Sequence, residues 1–146
     1  MNVSVVENGQ YVMITRWLTA EEKSRLERSS ATSLDEVRPY HRICVHKDGW
    51  RQLVNHLGAL REMADLMVDS IPASYQLHLC NDIYLNIKAD TYHVNIRRYW
   101  KPINESEARP TRIGVTLKPM EFVRLTRHAN EILETLAECE NANTQK

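Results

Sequence analysis

The sequence predicts an α+β fold made of two β-β-β-β-α-like repeats, with antiparallel sheets and two long helices packed antiparallel as a pseudo-dimer. Three observations predict it: alternating strand segments joined by turns, two long amphipathic helices, and an ordered series of residue matches between the halves of the 146-residue chain. The repeats are expected at 1–70 and 71–140, with a charged helical insertion at about 19–37 and a frayed tail at 141–146.

The N-terminal half begins as a hairpin. Alternating residues 3–6 and 11–14 flank Asn8-Gly9, a strong hairpin signal. Thr19 and Glu22 have the spacing of a capping box, which predicts a short charged helix over 20–28. Residues 42–46 return to strand character before a long helix. The apolar residues of that helix are spaced three and four apart: Trp50, Leu53, Leu57, Leu60, Ala64 and Met67.

The sequence of the C-terminal half predicts a meander of antiparallel strands followed by one helix. Residues 75–79, 83–88 and 92–100 read as three strands, and residues 112–117 as a fourth. Pro119 stands where the first turn of a helix tolerates proline. The helix that follows repeats the apolar spacing at Phe122, Leu125, Ala129, Ile132 and Leu136.

Matches between the halves predict an internal repeat. When Trp50 is aligned with Phe122, residues 43–45 fall opposite residues 115–117. Two further matches lie upstream: Val12-x-Ile14-x-Arg16-Trp17 with Val94-x-Ile96-x-Arg98-Tyr99, and Arg38-Pro39 with Arg109-Pro110. Amphipathic helices often match by chance, so the ordered series of strand, Arg-Pro, strand and helix carries more weight. A single strand-rich domain without duplication is the alternative.

Composition excludes several classes of protein. The chain has 19 basic and 19 acidic residues, so any binding of nucleic acid must use a local patch rather than bulk charge. No apolar run approaches the roughly 18 residues of a membrane helix, and residues 1–4 lack the features of a secretion signal. Cys44, Cys80 and Cys139 fit reduced thiols. We expect a nuclear or cytoplasmic protein that is not secreted.

Alternation along the C-terminal strands predicts one apolar and one polar face. The apolar set can cover a helix: Leu77, Leu79, Ile83, Leu85, Ile87, Val94 and Ile96. The polar set contains rings, amides and basic groups but no carboxylate: Gln76, His78, Tyr84, Asn86, Lys88, His93, Asn95, Arg97 and Tyr99, extended by Arg112 and Thr116. Rings and guanidinium planes can stack on unpaired bases, at about 1–3 kcal/mol per base. A face that merely contacts water is the alternative.

Two stretches carry a family resemblance. Residues 94–100 read V-N-I-R-R-Y-W, and residues 109–122 read R-P-T-R-I-G-V-T-L-K-P-M-E-F. They resemble the positive cofactor four family of transcriptional coactivators, whose pattern is V-D-I-R-x-Y-W followed by K-P-G-R-K-G-I-S-L-x-P-E-x-W. The resemblance implies a curved four-stranded sheet and one helix per unit, pairing of two units through their helices, and single-stranded DNA on the sheets. It also implies that the two units of a homodimer are fused here in tandem.

The two halves match that family unequally. Arg97 and Trp100 stand at the family's arginine and tryptophan, whereas the N-terminal half has Thr15 and Leu18 at those places. The hairpin before residue 94 reads Lys88-Ala89-Asp90-Thr91 and lacks the family's aromatic residue and lysines. Strand binding is therefore expected chiefly in the C-terminal half.

These patterns predict a non-enzymatic protein that binds single-stranded DNA or RNA in transcription, replication or nucleic-acid protection. Its expected partners are the nucleic acid and transcription or replication proteins, and the chain is either a monomeric pseudo-dimer or a homodimer. The predicted binding residues are Lys88, Asn95, Arg97, Tyr99, Trp100, Arg109 and Arg112, with weaker counterparts Arg16, Trp17, Arg38 and Arg42. The alternative is a protein-interaction module that kept the fold but lost this binding, with residues 20–28 as its docking element.

Catalytic and metal chemistry is not expected. His41, Cys44 and His46 lie close together in sequence, but in a strand His41 points away from the other two and no fourth ligand is near. The sequence has no glycine-rich phosphate loop, nucleophile elbow or spaced carboxylate pair. We therefore predict neither a cofactor nor a metal.

Overall fold

The computed structural model describes residues 1–29, 40–88 and 92–144. These residues form two antiparallel sheets and four α-helices, which confirms the α+β class. The three-stranded sheet contains, in spatial order, β1 (Asn2–Val6), β2 (Tyr11–Trp17) and β3 (Tyr40–His46). The four-stranded sheet contains β4 (Tyr75–Cys80), β5 (Ile83–Ile87), β6 (Val94–Trp100) and β7 (Arg109–Leu117). The first sheet therefore has one described strand fewer than was predicted.

The helices lie between and after the strands. They are α1 (Ala20–Ser29), α2 (Lys47–Asn55), α3 (Leu57–Val68) and α4 (Pro119–Thr144). The capping box of α1 is confirmed, since the Glu22 amide donates to Thr19 Oγ1 at 3.1 Å and the Thr19 amide donates to Glu22 Oε1 at 3.2 Å. Helix α4 continues to Thr144, through most of the segment for which a frayed tail was predicted.

The predicted long helix after β3 is divided in two, which corrects the sequence-based prediction. His56 lies between α2 and α3 with φ −106° and ψ 15°, outside helical geometry. Its amide donates to Leu53 O at 3.2 Å instead of continuing the regular ladder. Gly58 follows at the start of α3, and glycine is a weak helix former. The apolar stripe nevertheless continues across the break, because Leu53, Leu57 and Leu60 are all buried.

The N-terminal hairpin depends on Gly9. Its φ of 86° favours glycine, and it follows Asn8 at φ 56° in a single 3₁₀ turn. A Cβ on Gly9 would lie 2.4 Å from Cys139 Cβ, because the turn packs against the last third of α4. The hairpin prediction is confirmed, and the glycine has a packing role in addition to its turn role.

Helices α2 and α3 pack antiparallel to α4. Arg51 near the start of α2 pairs with Glu140 near the end of α4, whereas Arg61 in α3 donates to Thr126 O at 3.3 Å. Trp50, fully buried, donates its indole N–H to Ala129 O at 3.1 Å. One continuous apolar core therefore joins both sheets through the helices.

The two sheets have the same strand register at the positions that the predicted repeat aligns. In the three-stranded sheet Val12 pairs with Val45, and Ile14 with Ile43. The aligned pairs of the four-stranded sheet are Val94 with Leu117 and Ile96 with Val115. The outer pairs agree as well: Val5–Val12 and Val3–Ile14 match Ile87–Val94 and Leu85–Ile96. By this correspondence β1, β2 and β3 occupy the places of β5, β6 and β7.

Candidate nucleic-acid interface

The predicted polar face exists on the four-stranded sheet. The apolar residues on the opposite side, including Leu77, Leu85 and Ile96, are buried in the core. Pairing across the strands places the polar residues in rows on one side. We call this surface the basic-aromatic face; it comprises Gln76, His78, Tyr84, Asn86, Asn95, Arg97, Tyr99, Arg112 and Thr116. It holds no carboxylate among the residues that the structure describes. Lys88 is exposed at its margin, after β5.

Three rings form a ladder across this face. The His78 and Tyr84 rings are stacked with centroids 4.5 Å apart, and the Tyr84 and Tyr99 rings are tilted with centroids 5.0 Å apart. Asn86 donates to the Tyr99 hydroxyl and helps to fix that ring. Arg97 and Tyr99 are two residues apart in β6, so strand alternation places both on this face. The register shift between them, from Arg97–Gly114 to Tyr99–Pro110, puts the extra residues on β7. The ladder therefore crosses β4, β5 and β6.

Arg97 lies beside this ladder and is held in place by neutral groups. Its guanidinium donates to Thr111 O at 3.0 Å and to Thr116 Oγ1 at 3.1 Å, and Thr116 in turn donates to Asn95 Oδ1 at 2.8 Å. Burial lowers the pKa of Arg97, because the charge is partly removed from water. No described carboxylate pairs with it. A desolvated, oriented cation without an acidic partner is well suited to bind an anion.

Gly114 lets β7 approach closely beneath Arg97. A Cβ at this position would lie 2.5 Å from Ile96 O and 2.7 Å from Arg97 Cα. Both obstructing atoms belong to the backbone of β6, so a side chain would separate the strands rather than move a neighbour. The position of Arg97 across β7 therefore depends on a glycine.

We expect Gly114→Ala to lower the free energy of unfolding by about 1–3 kcal/mol, because the added methyl overpacks the contact between β6 and β7. The matched control is Gly58→Ala, where a Cβ meets no atom within 4 Å. Alanine in helix α3 should raise stability by about 0.5–1 kcal/mol. Urea denaturation of both variants measures the two shifts. Equal stability of the two variants would contradict the inference that Gly114 is needed for the close approach of β7 to β6.

Arg112 extends the basic-aromatic face at one end, whereas the alternation of β6 places Trp100 at the same end on the side of Ile96, which corrects its predicted place on this face. Trp100 is 61% exposed at the end of β6. Arg112 is exposed, and it forms no hydrogen bond or ion pair with a described residue. Arg109 lies opposite Trp100 but pairs with Glu105, so part of its charge is already neutralised. Trp100 and Arg112 are thus both accessible to a ligand.

The three-stranded sheet carries a smaller exposed cluster. Trp17 is 59% exposed and meets the Tyr40 ring edge-on, with centroids 5.3 Å apart. The Arg42 guanidinium lies 4.6 Å from the centre of the Tyr40 ring and donates to Thr15 Oγ1 at 3.3 Å. Tyr40 was missed in the sequence because the predicted strand began at residue 42. Its ring joins the other two side chains into one surface.

Arg16 does not fit the predicted binding role. It is only 5% exposed, on the same side of β2 as Val12 and Ile14. Its guanidinium pairs with Glu22 at 2.7 Å and with Glu121 at 2.9 Å. Burial acts to lower the pKa of Arg16, but the hydrogen bonds that its guanidinium donates to the Glu22 and Glu121 carboxylates outweigh burial and leave that pKa raised. The residue joins α1, β2 and α4 and is not available to a phosphate.

The remaining sequence-based predictions concern Arg38 and the residues that were considered and rejected as metal ligands, His41, Cys44 and His46. Arg38 lies outside the described residues. In β3, His41 pairs with Arg16 on the core side, whereas Cys44 and His46 alternate to the other side. Among the described residues no three His, Cys, Asp or Glu side chains are grouped so that they could hold a metal ion.

A scan against models of known protein families finds no match for the chain, and a search of the curated proteins finds none either. None of the described helices has the length and apolar character needed to cross a bilayer. A functional assignment therefore depends on the surfaces described above.

Proposed function

We propose that this chain is a non-enzymatic binder of single-stranded nucleic acid and that the basic-aromatic face holds the strand. The observation that carries the proposal is the ladder of His78, Tyr84 and Tyr99 beside Arg97, on a face without a described carboxylate. Aromatic rings stack on bases, and arginine binds phosphate or stacks on a base plane. In a chain with equal numbers of acidic and basic residues, we expect an ordinary solvent-exposed face to carry both negatively and positively charged side chains.

The geometry favours an unpaired strand over a duplex. The rings lie along a sheet surface, and only a base that is free of its neighbours can present its plane to them. Stacking accepts any base, since every base has a ring face. We therefore propose sequence-tolerant binding, in transcription, replication or nucleic-acid protection, in keeping with the resemblance to the coactivator family.

We also propose that the two halves are diverged repeats that form a pseudo-dimer within one chain. The shared strand register supports this proposal, as does the start of α2 at Lys47 and of α4 at Pro119, which are aligned positions. The antiparallel packing of the helices supports it further. In this arrangement the cluster of Trp17, Tyr40 and Arg42 is the weaker counterpart of the basic-aromatic face.

Fluorescence anisotropy with labelled single-stranded and duplex oligonucleotides tests the proposal. We expect the single strand to bind more tightly, with a log-log salt slope of about −0.7 for each phosphate contact. The variant Arg97→Ala/Arg112→Ala should bind at least about tenfold more weakly and with a flatter slope. The charge-matched control is Arg28→Ala/Arg127→Ala, two exposed arginines outside this face, which should bind like the parent. Circular dichroism verifies that each variant is folded.

Two results would contradict the proposal. Equal loss of affinity in both double variants would mean that binding follows bulk charge rather than this face. Absence of any single-strand binding at low salt would leave the alternative of a protein-interaction module, for which the exposed helix α1 is the docking candidate.

A further inference from the structure

The two sheets meet at a seam formed by β3 and β7. Strand β7 contacts β3 and also the neighbouring β2, although the described strands of the two sheets share no backbone pairing. Arg97 reaches this seam from β6, because its guanidinium donates to Thr111 O and to Thr116 Oγ1, and both of these residues belong to β7. The charged end of Arg97 therefore lies over the strand that borders the three-stranded sheet.

His41 lies on the other side of this seam. It is half-buried in β3, where it pairs with Arg16 of β2, and its ring forms no hydrogen bond or ion pair with a described residue. Partial burial lowers the pKa of His41, and the positive charges of Arg97 and then of Arg16 lower it further, against a smaller opposite effect of Glu22. His41 is therefore a neutral ring at pH 7, within electrostatic reach of Arg97.

The carboxylates near the seam are already engaged. Glu22 and Glu121 accept from the Arg16 guanidinium at 2.7 and 2.9 Å, whereas Arg97 pairs with no described carboxylate. The other strands and helices that pack against β3 carry titratable side chains that are basic or that lie at the far end of β3, beside His46: Arg109 and Arg112 in β7, His78 in β4, and Lys47, Asp48 and Arg51 in α2. Arg97 is thus the cation at this seam that lacks an anionic partner among the described residues.

We propose that a phosphate group of the bound strand lies between Arg97 and His41, and that the His41 imidazole takes up a proton from the solvent when this phosphate binds. The inference rests on the proposed function and adds to it a place for one phosphate and a dependence on pH. An anion held by Arg97 offsets the positive charge that acts on His41 and adds a negative one, so it favours the imidazolium. Because such coupling is reciprocal, protonation of His41 must strengthen phosphate binding by the same factor.

The direction of the pH dependence follows from this coupling. The pKa of His41 is lowered in the free chain, and the bound phosphate raises it. The additional affinity is therefore fully present below the pKa of the free chain and is lost as the pH rises through the pKa of the complex. We expect the affinity for a single strand to rise about fivefold or more when the pH falls from about 7.5 to about 5.5.

Fluorescence anisotropy with a labelled oligothymidylate, whose bases do not titrate in this range, measures the affinity across these pH values at constant ionic strength. His41→Gln keeps a polar side chain that cannot take up a proton, so it should lose most of the pH dependence and bind throughout as the parent does at the highest pH. The matched control is His128→Gln, an exposed histidine of α4, which should keep the pH dependence of the parent. Titration of the His41 ring by NMR should show a higher pKa in the complex than in the free chain.

Three results would overturn the inference while single-strand binding persists. The first is equal pH dependence in the parent and in His41→Gln. The second is a loss of affinity in His41→Gln by the same factor at every pH, which would mean that the ring has only a structural role. The third is a rise in the pKa of His41 with inorganic phosphate but not with the oligothymidylate, which would mean that the seam holds a free anion. Absence of single-strand binding by the parent at every pH would instead contradict the proposed function and this inference together.

Discussion

Replacing Trp50 by alanine is expected to lower the free energy of unfolding by about 3–5 kcal/mol. The side chain is fully buried where α2 meets α4, and its loss leaves a cavity in the core that joins both sheets. The Ala129 carbonyl also loses the indole N–H that it accepts at 3.1 Å. Most single-domain proteins have a total stability of about 5–15 kcal/mol, so this one change removes a large fraction of it.

Trp100→Ala is the matched control for this prediction. The Trp100 side chain is mostly exposed, so its removal should change stability by no more than about 0.5 kcal/mol. It should weaken single-strand binding by about 1–3 kcal/mol if the ring stacks on a base. Urea denaturation and anisotropy on both variants separate the two roles. A stability loss at Trp100 as large as that at Trp50 would contradict the assignment of one to the core and the other to the surface.

Arg16→Ala is expected to lower the free energy of unfolding by about 2–4 kcal/mol. Its removal leaves Glu22 and Glu121 without their shared cation, and both carboxylates are largely shielded from water. The control Arg25→Ala breaks an exposed pair with Glu21 and should cost no more than about 1 kcal/mol. Restoration of stability in Arg16→Leu/Glu22→Gln/Glu121→Gln would confirm that uncompensated charge causes the loss. A cost for Arg16→Ala no greater than for Arg25→Ala would contradict the buried role.

The same network makes stability depend on pH in the acid range. The hydrogen bond from Arg16 lowers the pKa of Glu22 from 4.5 to about 2. Because the folded state holds the charged carboxylate, this contribution is fully present above pH 4.5 and is lost as the pH falls toward 2. We expect the difference in stability between the parent and Arg16→Ala to shrink across that range. Denaturation curves at several pH values measure it, and a difference that stays constant with pH would contradict the linkage.

Local patterns were sufficient to predict most of the fold. Alternation identified β2, β5 and β6, because one side of each sheet is buried and the side-chain period of a strand is two. The break at His56 was not predictable from periodicity, since the apolar stripe passes through it unchanged. The three described strands of the first sheet agree with the three strand segments that alternation indicated in the N-terminal half; the fourth strand was expected only from the repeat and the family resemblance.

The candidate site was predicted in composition but not in detail. Alternation placed Asn95, Arg97 and Tyr99 on one face, and the pairing of the strands agrees. The same alternation puts Arg16 beside Val12 and Ile14, yet the residue was predicted to bind nucleic acid as a weaker counterpart of the C-terminal binding residues. The partners that fix Arg97 come from β7 and could not be deduced without the strand register.

The antiparallel contact between α3 and α4 has a consequence for assembly in dilute solution. Two sheets held together by helices from separate chains would part as protein concentration fell, since association is governed by mass action. Here the helices belong to one chain, so the effective local concentration of each for the other is set by the chain that links them. The two sheets should therefore remain joined at any dilution. Because each sheet packs against a different sequence rather than an identical copy, its surface residues can change independently of those of the other sheet.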